Sequence, residues 1–139
     1  MIVVDTGPLV AVSNRLDRYH EVCTSVLERY PGPMLVPVSV LVETAQVLER
    51  RAGSKVEARF LQDFAKSGLT LVDLNGDDLG RMSALVDHYA NLPLGSVDAS
   101  VIAVAERLNI HAVATLDRRH FTVVRPCHVD AFDLLPAEL

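Results

Sequence analysis

The chain has 139 residues, half of them apolar, and a formal net charge of −5. That is enough apolar surface for one globular domain with a buried core, residues 1–139, and no apolar run approaches the roughly 20 residues a membrane-spanning helix needs. The acidic balance argues against coating duplex nucleic acid, which depends on neutralising many phosphates. Two cysteines, Cys23 and Cys127, are too few for a disulfide scaffold and have no zinc spacing, so a reducing cytoplasm is the expected location.

The β-branched run Ile2–Asp5 predicts a short buried strand, and the absence of a basic region before it argues against a signal peptide. Thr6-Gly7-Pro8 breaks the strand and Leu9–Ser13 begins a helix, with Pro8 near its first turn. Asp17–Tyr30 has Tyr19, Val22, Val26 and Tyr30 at helical spacing and ends at Pro31-Gly32-Pro33. Met34–Val36 is a second strand. Pro37 opens a helix to about Arg51, stopped by Gly53, and Val56–Lys66 is another helix, stopped by Gly68. Leu69–Leu74 reads as a third strand. Asn75 or Asp77 caps a helix to about Ala90, with Leu79, Met82, Leu85, Val86 and Tyr89 on one face. After the loop Asn91–Gly95, Val97–Leu108 is an apolar helix of small residues with Asn109 as its stop. His111–Leu116 is a fourth strand, Phe121–Val124 a candidate fifth, and His128–Leu135 a further short strand or turn. Short apolar strands alternating with helices predict an α/β fold, a parallel sheet covered by helices on both faces.

Four acids fall at the edges of apolar segments: Asp5, Glu43, Asp98 and Asp117. An ionised carboxylate against apolar structure must be paired, protonated or bound to a metal, and few lysines or arginines stand nearby in sequence. Asp5 and Asp117 end predicted strands, and Asp98 opens a helix that faces the same sheet edge. Glu43 lies one to two turns into the helix after the second strand. The carboxyl edge of a parallel sheet is its usual functional edge, so the four acids are expected to converge there. Taken singly, Asp5 and Asp117 suit turns, and Asp98 suits the positive end of a helix dipole. Glu43 is harder to explain that way, because the opposite face of its helix already carries Val38, Leu41, Val42, Ala45 and Leu48.

Hard oxygen donors of this kind suit Mg²⁺ or Mn²⁺. A nuclease uses such an ion to polarise a phosphate and orient a water, so no nucleophilic side chain is required. The hydroxyls of Thr6, Ser39, Ser96 and Thr115 stand near the acids as candidate orienting partners, with helix capping as the competing role. Arg50–Arg51 and Arg118–Arg119 are local basic pairs that suit either phosphates or solvated helix ends. The five histidines show no metal-ligand spacing and read as surface or boundary residues. There is no Gly-x-Ser-x-Gly elbow and no glycine-rich nucleotide loop.

Four segments together resemble the PIN-domain ribonucleases, and among them the VapC-type toxins of bacterial toxin–antitoxin pairs. They are Val-Val-Asp-Thr-Gly-Pro-Leu-Val-Ala at Val3–Ala11, Val-Ser-Val-Leu-Val-Glu-Thr-Ala at Val38–Ala45, Leu-Pro-Leu-Gly-Ser-Val-Asp-Ala-Ser at Leu92–Ser100, and Val-Ala-Thr-Leu-Asp-Arg-Arg-His-Phe at Val113–Phe121. The resemblance covers nearly the whole chain. It implies a three-layer α/β/α sandwich and Mg²⁺- or Mn²⁺-dependent cleavage of RNA. Asp5, Glu43, Asp98 and Asp117 match the family's acidic positions, and Thr6 and Thr115 its flanking hydroxyls. It also implies a homodimer silenced by a cognate antitoxin. Relatives often carry an acid three residues before the third; here that position is Gly95.

Other folds that place an acid after a first strand fit less well. A haloacid-dehalogenase-type phosphatase needs a second Asp where Gly7 stands. A receiver domain needs a late lysine, and the only lysines are Lys55 and Lys66. An RNase H-like enzyme begins with an antiparallel hairpin. The alternative from a different class is a catalytically silent PIN-like module that binds RNA or protein.

Overall fold

The computed structural model describes residues 1–139. Its first strand, β1 (Ile2–Val4), is completely buried, as expected of a β-branched run covered on both faces. Two helices, α1 (Thr6–Val12) and α2 (His20–Arg29), lead to β2 (Met34–Pro37). Two more, α3 (Val38–Ala52) and α4 (Ser54–Lys66), lead to β3 (Thr70–Val72). Gly53 joins α3 to α4 at φ 93°, a left-handed conformation that glycine adopts without a Cβ clash. The chain then returns through α5 (Gly76–His88) and α6 (Ser96–Arg107) to β4 (Ala112–Ala114), and ends with α7 (Arg118–Val123) and β5 (Asp133–Leu135).

The five strands form one sheet in the order β3-β2-β1-β4-β5, parallel at every pairing. This is the expected three-layer α/β/α architecture. From β1 the chain steps outward to β2 and β3, then crosses back to lay β4 and β5 on the other side. The strand order therefore reverses between β1 and β4, and the connections leaving their carboxyl ends diverge and open a crevice there.

Helix α6 anchors the layers. Ala99 to Ala105 are seven consecutive buried residues, so the helix is covered all round, and it packs against β1, β2, α3 and α5. Its C-terminal end is held by ion pairs to α5. Arg81 makes a two-pronged contact with Glu106 at 2.7 and 3.0 Å, and Arg107 reaches the buried Asp78 at 3.0 Å. Asp78 also closes a capping box with Asn75, the N-cap of α5. Asn109 ends the segment at φ 54°, a conformation asparagine tolerates better than most residues.

The structure corrects three expectations. Phe121–Val124 is not a strand but lies largely in α7, with Val124 as the residue that closes that helix. Phe121 and Val124 are buried three residues apart while Thr122 and Val123 are exposed, which is helical and not alternating spacing. The sheet position beside β4 goes instead to Asp133–Leu135, which pairs with Ala112–Ala114. Helix α2 begins at His20, because Asp17 Oδ1 accepts a hydrogen bond from the Tyr19 amide at 2.8 Å and forms a turn. In α3, Val42, which the sequence placed on the apolar face opposite Glu43, is 49% exposed, so that face is only partly covered.

Candidate metal centre

Asp5 follows β1 and points into the crevice between β1 and β4. It is buried, and its Oδ2 accepts a hydrogen bond from Thr115 Oγ1, at the end of β4, at 2.8 Å. The Thr115 oxygen in turn accepts from the Asp117 amide at 2.9 Å. One buried hydroxyl therefore links the two strand-end acids. Burial pushes the Asp5 carboxyl up to about 7; the Thr6 amide and the Thr115 hydroxyl oppose the shift, and the charges of Asp98 and Glu43 add to it.

Asp98 enters from the first turn of α6, at the end opposite the arginine pairs. Its carboxyl is also raised, chiefly by burial; His120 opposes the shift and Asp117 and Glu43 reinforce it. Asp117 is the N-cap of α7, where its Oδ1 accepts from the His120 amide at 3.0 Å. Asp117 is thus a helix cap and not the turn residue its sequence context suggests, and capping occupies one oxygen. The other, Oδ2, lies 2.6 Å from His120 Nδ1, and Asp98 Oδ2 lies 3.1 Å from the same nitrogen. One donor atom from each of Asp98, Asp117 and His120 lies within 4.8 Å of the other two.

Glu43 is half-buried on α3 and stands outside that tight group, although its charge reaches both Asp5 and Asp98. Beside it opens a cleft of about 340 Å³ walled by Val38, Val42, Leu74 and Val97. The four acids thus lie at one sheet edge, with Asp98 and Asp117 gathered around His120. No lysine or arginine pairs with any of them.

The flanking residues divide. Thr115 Oγ1 donates to Asp5 Oδ2. Ser39 instead shares a 2.5 Å hydrogen bond with Ser100 and ties α3 to α6. Thr6 Oγ1 is buried with no hydrogen-bond partner. Among the basic residues, Arg118 donates to the Pro136 carbonyl, Arg119 is exposed, and Arg50 lies about 10 Å along α3 from Glu43.

His120 is the residue that sequence reading missed. It lies three positions after Asp117, a spacing that brings side chains together on a helix but not on a strand. Reading Phe121–Val124 as a strand hid it. Its Nδ1 is shielded from solvent and aligned in a hydrogen bond to neither nearby oxygen. Oxygen donors, a buried nitrogen without a directed partner and the orphaned Thr6 hydroxyl beside Asp5 fit a divalent cation.

A family model described as PIN domain matches residues 2–125. Across 135 residues, 97% of this chain and 100% of the relative, the sequence is 24% identical to Ribonuclease VapC26 of Mycobacterium tuberculosis. The fold is similar to that of M. tuberculosis VapC20, a sarcin-ricin loop cleaving toxin, with a TM-score of 0.76 and 20% identity over 81% of this chain and 87% of that one. It is also similar to VapBC2 of Rickettsia felis bound to a promoter DNA fragment, with a TM-score of 0.71 and 17% identity over 96% and 98%. A toxin–antitoxin complex from Klebsiella pneumoniae matches with a TM-score of 0.66 and 18% identity over 89% and 92%. With the parallel sheet, the switch-point crevice and the acids at its edge, the match over most of its length establishes that this chain belongs to the PIN-domain family.

Proposed function

We propose that residues 1–139 form one PIN domain that acts as a Mg²⁺- or Mn²⁺-dependent endoribonuclease, the toxin of a toxin–antitoxin pair. The observation that carries this reading is the set of carboxylates at the switch-point crevice, paired with no lysine or arginine, of which Asp5 and Asp98 are pushed towards protonation by burial. A protein seldom keeps such groups without a positive charge to complete them. The resemblance to a protein named as a ribonuclease supports the choice of substrate class.

Asp5, Asp98 and Asp117 would hold the cation, and Glu43 would complete the site directly or through water. When bound, the cation would supply positive charge to the phosphate oxygens and favour ionisation of a water. Thr115 orients Asp5 and fixes the Asp117 backbone, so the two strand-end acids keep a constant spacing. Thr6 offers its free hydroxyl to a water or a phosphate oxygen. Ser39 acts indirectly, by fixing α3 and hence Glu43 against α6. Glu43, at the half-open side of the crevice, helps hold the attacking water. Arg119 is the basic residue best placed to meet RNA phosphates. Arg118 would do so with the part of its guanidinium not given to Pro136, and Arg50 only with RNA that runs along α3.

A cognate antitoxin is the expected partner, because two similar structures are toxin–antitoxin assemblies. The apolar cleft beside Glu43 suits an amphipathic helix carrying a basic residue towards the acids. A cytoplasmic homodimer completes the reading. No helix is long and apolar enough to cross a membrane.

Cleavage mapping on total cellular RNA, with the wild type and Asp98→Asn, tests the assignment. Discrete metal-dependent cuts by the wild type, absent from the variant, are expected, and equal cleavage by both proteins refutes it. Co-expression with the neighbouring gene of a two-gene operon tests the partner: the two products should co-purify, and a solitary, non-toxic nuclease argues against an antitoxin.

A further inference from the structure

We infer that His120 Nδ1 is a direct ligand of the centre's cation, and that this nitrogen makes the site select Mn²⁺ over Mg²⁺. The inference rests on the metal-dependent reading above and adds a ligand and a preference to it.

The geometry is that of donors arranged around a common point. Ligands at right angles on an ion with bonds of about 2.1 Å stand about 3 Å apart. Asp98 Oδ2 and His120 Nδ1 are 3.1 Å apart, which matches that separation, whereas Asp117 Oδ2 is closer, 2.6 Å from the same nitrogen. A histidine that merely bridged two carboxylates would aim an N–H at one of them. Here the nitrogen is shielded from solvent and makes no directed hydrogen bond. Ligands of one ion behave this way, since each aims at the ion and not at its neighbour. The local backbone maintains the arrangement: Asp117 Oδ1 is held by the His120 amide at 3.0 Å, so the residue supplying the nitrogen also fixes the acid beside it.

No other imidazole competes for this role. His20 Nδ1 contacts the Ala11 carbonyl at 2.8 Å, and His128 Nε2 contacts the Ile110 carbonyl at 2.7 Å. His111 Nε2 lies 3.3 Å from Asn109 Oδ1, and His88 occupies the last turn of α5. The chemical consequence follows from ligand softness. Mg²⁺ is bound almost entirely through oxygen, whereas first-row transition ions gain affinity from imidazole. An imidazole added to the carboxylates of Asp5, Asp98 and Asp117 should therefore shift the preference towards Mn²⁺.

The test uses the full chain, stripped of metal and titrated with MnCl₂ or MgCl₂ alone. Pulsed electron paramagnetic resonance on the Mn²⁺-loaded wild type should show the ¹⁴N coupling of a ligating imidazole, a readout that needs neither activity nor a variant. His120→Ala and His120→Gln should lose that coupling. In calorimetry their Mn²⁺ affinity should fall by about tenfold or more, with a smaller change for Mg²⁺. Mn²⁺ binding without ¹⁴N coupling overturns the inference and leaves the metal-dependent reading standing. Tighter binding of both ions by the variants also overturns it, by showing that His120 only occupies the cation's place. If the wild type binds neither ion, the inference and the metal-dependent reading fall together.

Discussion

The two ends of α6 treat their acids in opposite ways. At the C-terminal end, Glu106 is held by Arg81, and Asp78 of the adjoining α5 is held by Arg107. The Glu106 carboxyl sits below its usual range despite its burial, because the Arg81 hydrogen bond and the Cys127 amide outweigh desolvation. At the N-terminal end, Asp98 meets two further acids and a histidine, and burial pushes it upward. The same residue chemistry is a completed fastening at one end and an unfinished charge set at the other. Burial of an acid therefore does not mark a site; burial without an arginine or lysine does.

Neutralising one acid at each end should break this symmetry most sharply. Asp98→Asn is expected to lower RNA cleavage by about 10²–10³-fold, the scale of removing one group that stabilises developing charge. Its melting temperature should stay at or above that of the wild type, because a like charge has left a crowded cluster. Arg107→Ala should do the reverse. It leaves the buried Asp78 without its cation, and because Arg107 is itself 31% exposed, about 2–3 kcal/mol of stability should be lost, less than for a fully buried pair. Chemical denaturation should register that loss while cleavage per folded molecule stays unchanged. Loss of cleavage by a fully folded Arg107→Ala protein would mean that the two ends are not separable.

The layered fold was legible in the chain because its signals are local. Ile2–Val4 and the small-residue helix around Ala99–Ala105 read as buried from composition alone, and Asn75, Gly53 and Asn109 mark helix ends through their own backbone preferences. Convergence of Asp5, Asp98 and Asp117 was legible too, since each stands at a strand end or helix start that a parallel sheet brings to one edge. What escaped was decided by competition between segments. Phe121–Val124 and the stretch around Leu134 both look fit to extend the sheet beside β4, and only the whole fold shows that the latter wins. Once Phe121 is helical, His120 turns towards Asp117, so an error of secondary structure became an error about the site.

Asp5 sharpens the comparison through pH. In the metal-free folded chain its carboxyl holds a proton until about pH 7, whereas the unfolded chain releases it near 3.8. Between those values the folded state binds more protons, so this stabilisation is complete below about pH 4 and is lost as pH rises towards 7. The upward shift at Asp98 acts in the same direction. With chelator present, the wild type should lose roughly 1–3 kcal/mol between pH 5 and pH 8 from Asp5. Asp5→Asn should flatten the slope and be the more stable protein at pH 8. Denaturation curves for both proteins at the two pH values decide the matter; parallel slopes would show that Asp5 is not the group responsible.

The smallest expected effect comes from the hydroxyl between the two strand-end acids. Thr115 Oγ1 donates to Asp5 and accepts from the Asp117 amide, so Thr115→Val keeps the side chain's shape and removes both contacts. Stability at pH 8 should drop by about 1 kcal/mol, the usual net worth of a buried hydrogen bond. The lost donor should also move the Asp5 carboxyl further upward, because the hydroxyl favours its ionised form. Cleavage should fall by about tenfold, the low end for groups that orient a ligand. Thr115→Ser, which retains the hydroxyl, should recover most of that activity. Equal impairment by serine and valine would show that Thr115 serves packing alone, and that the spacing of Asp5 and Asp117 is fixed by the strands without it.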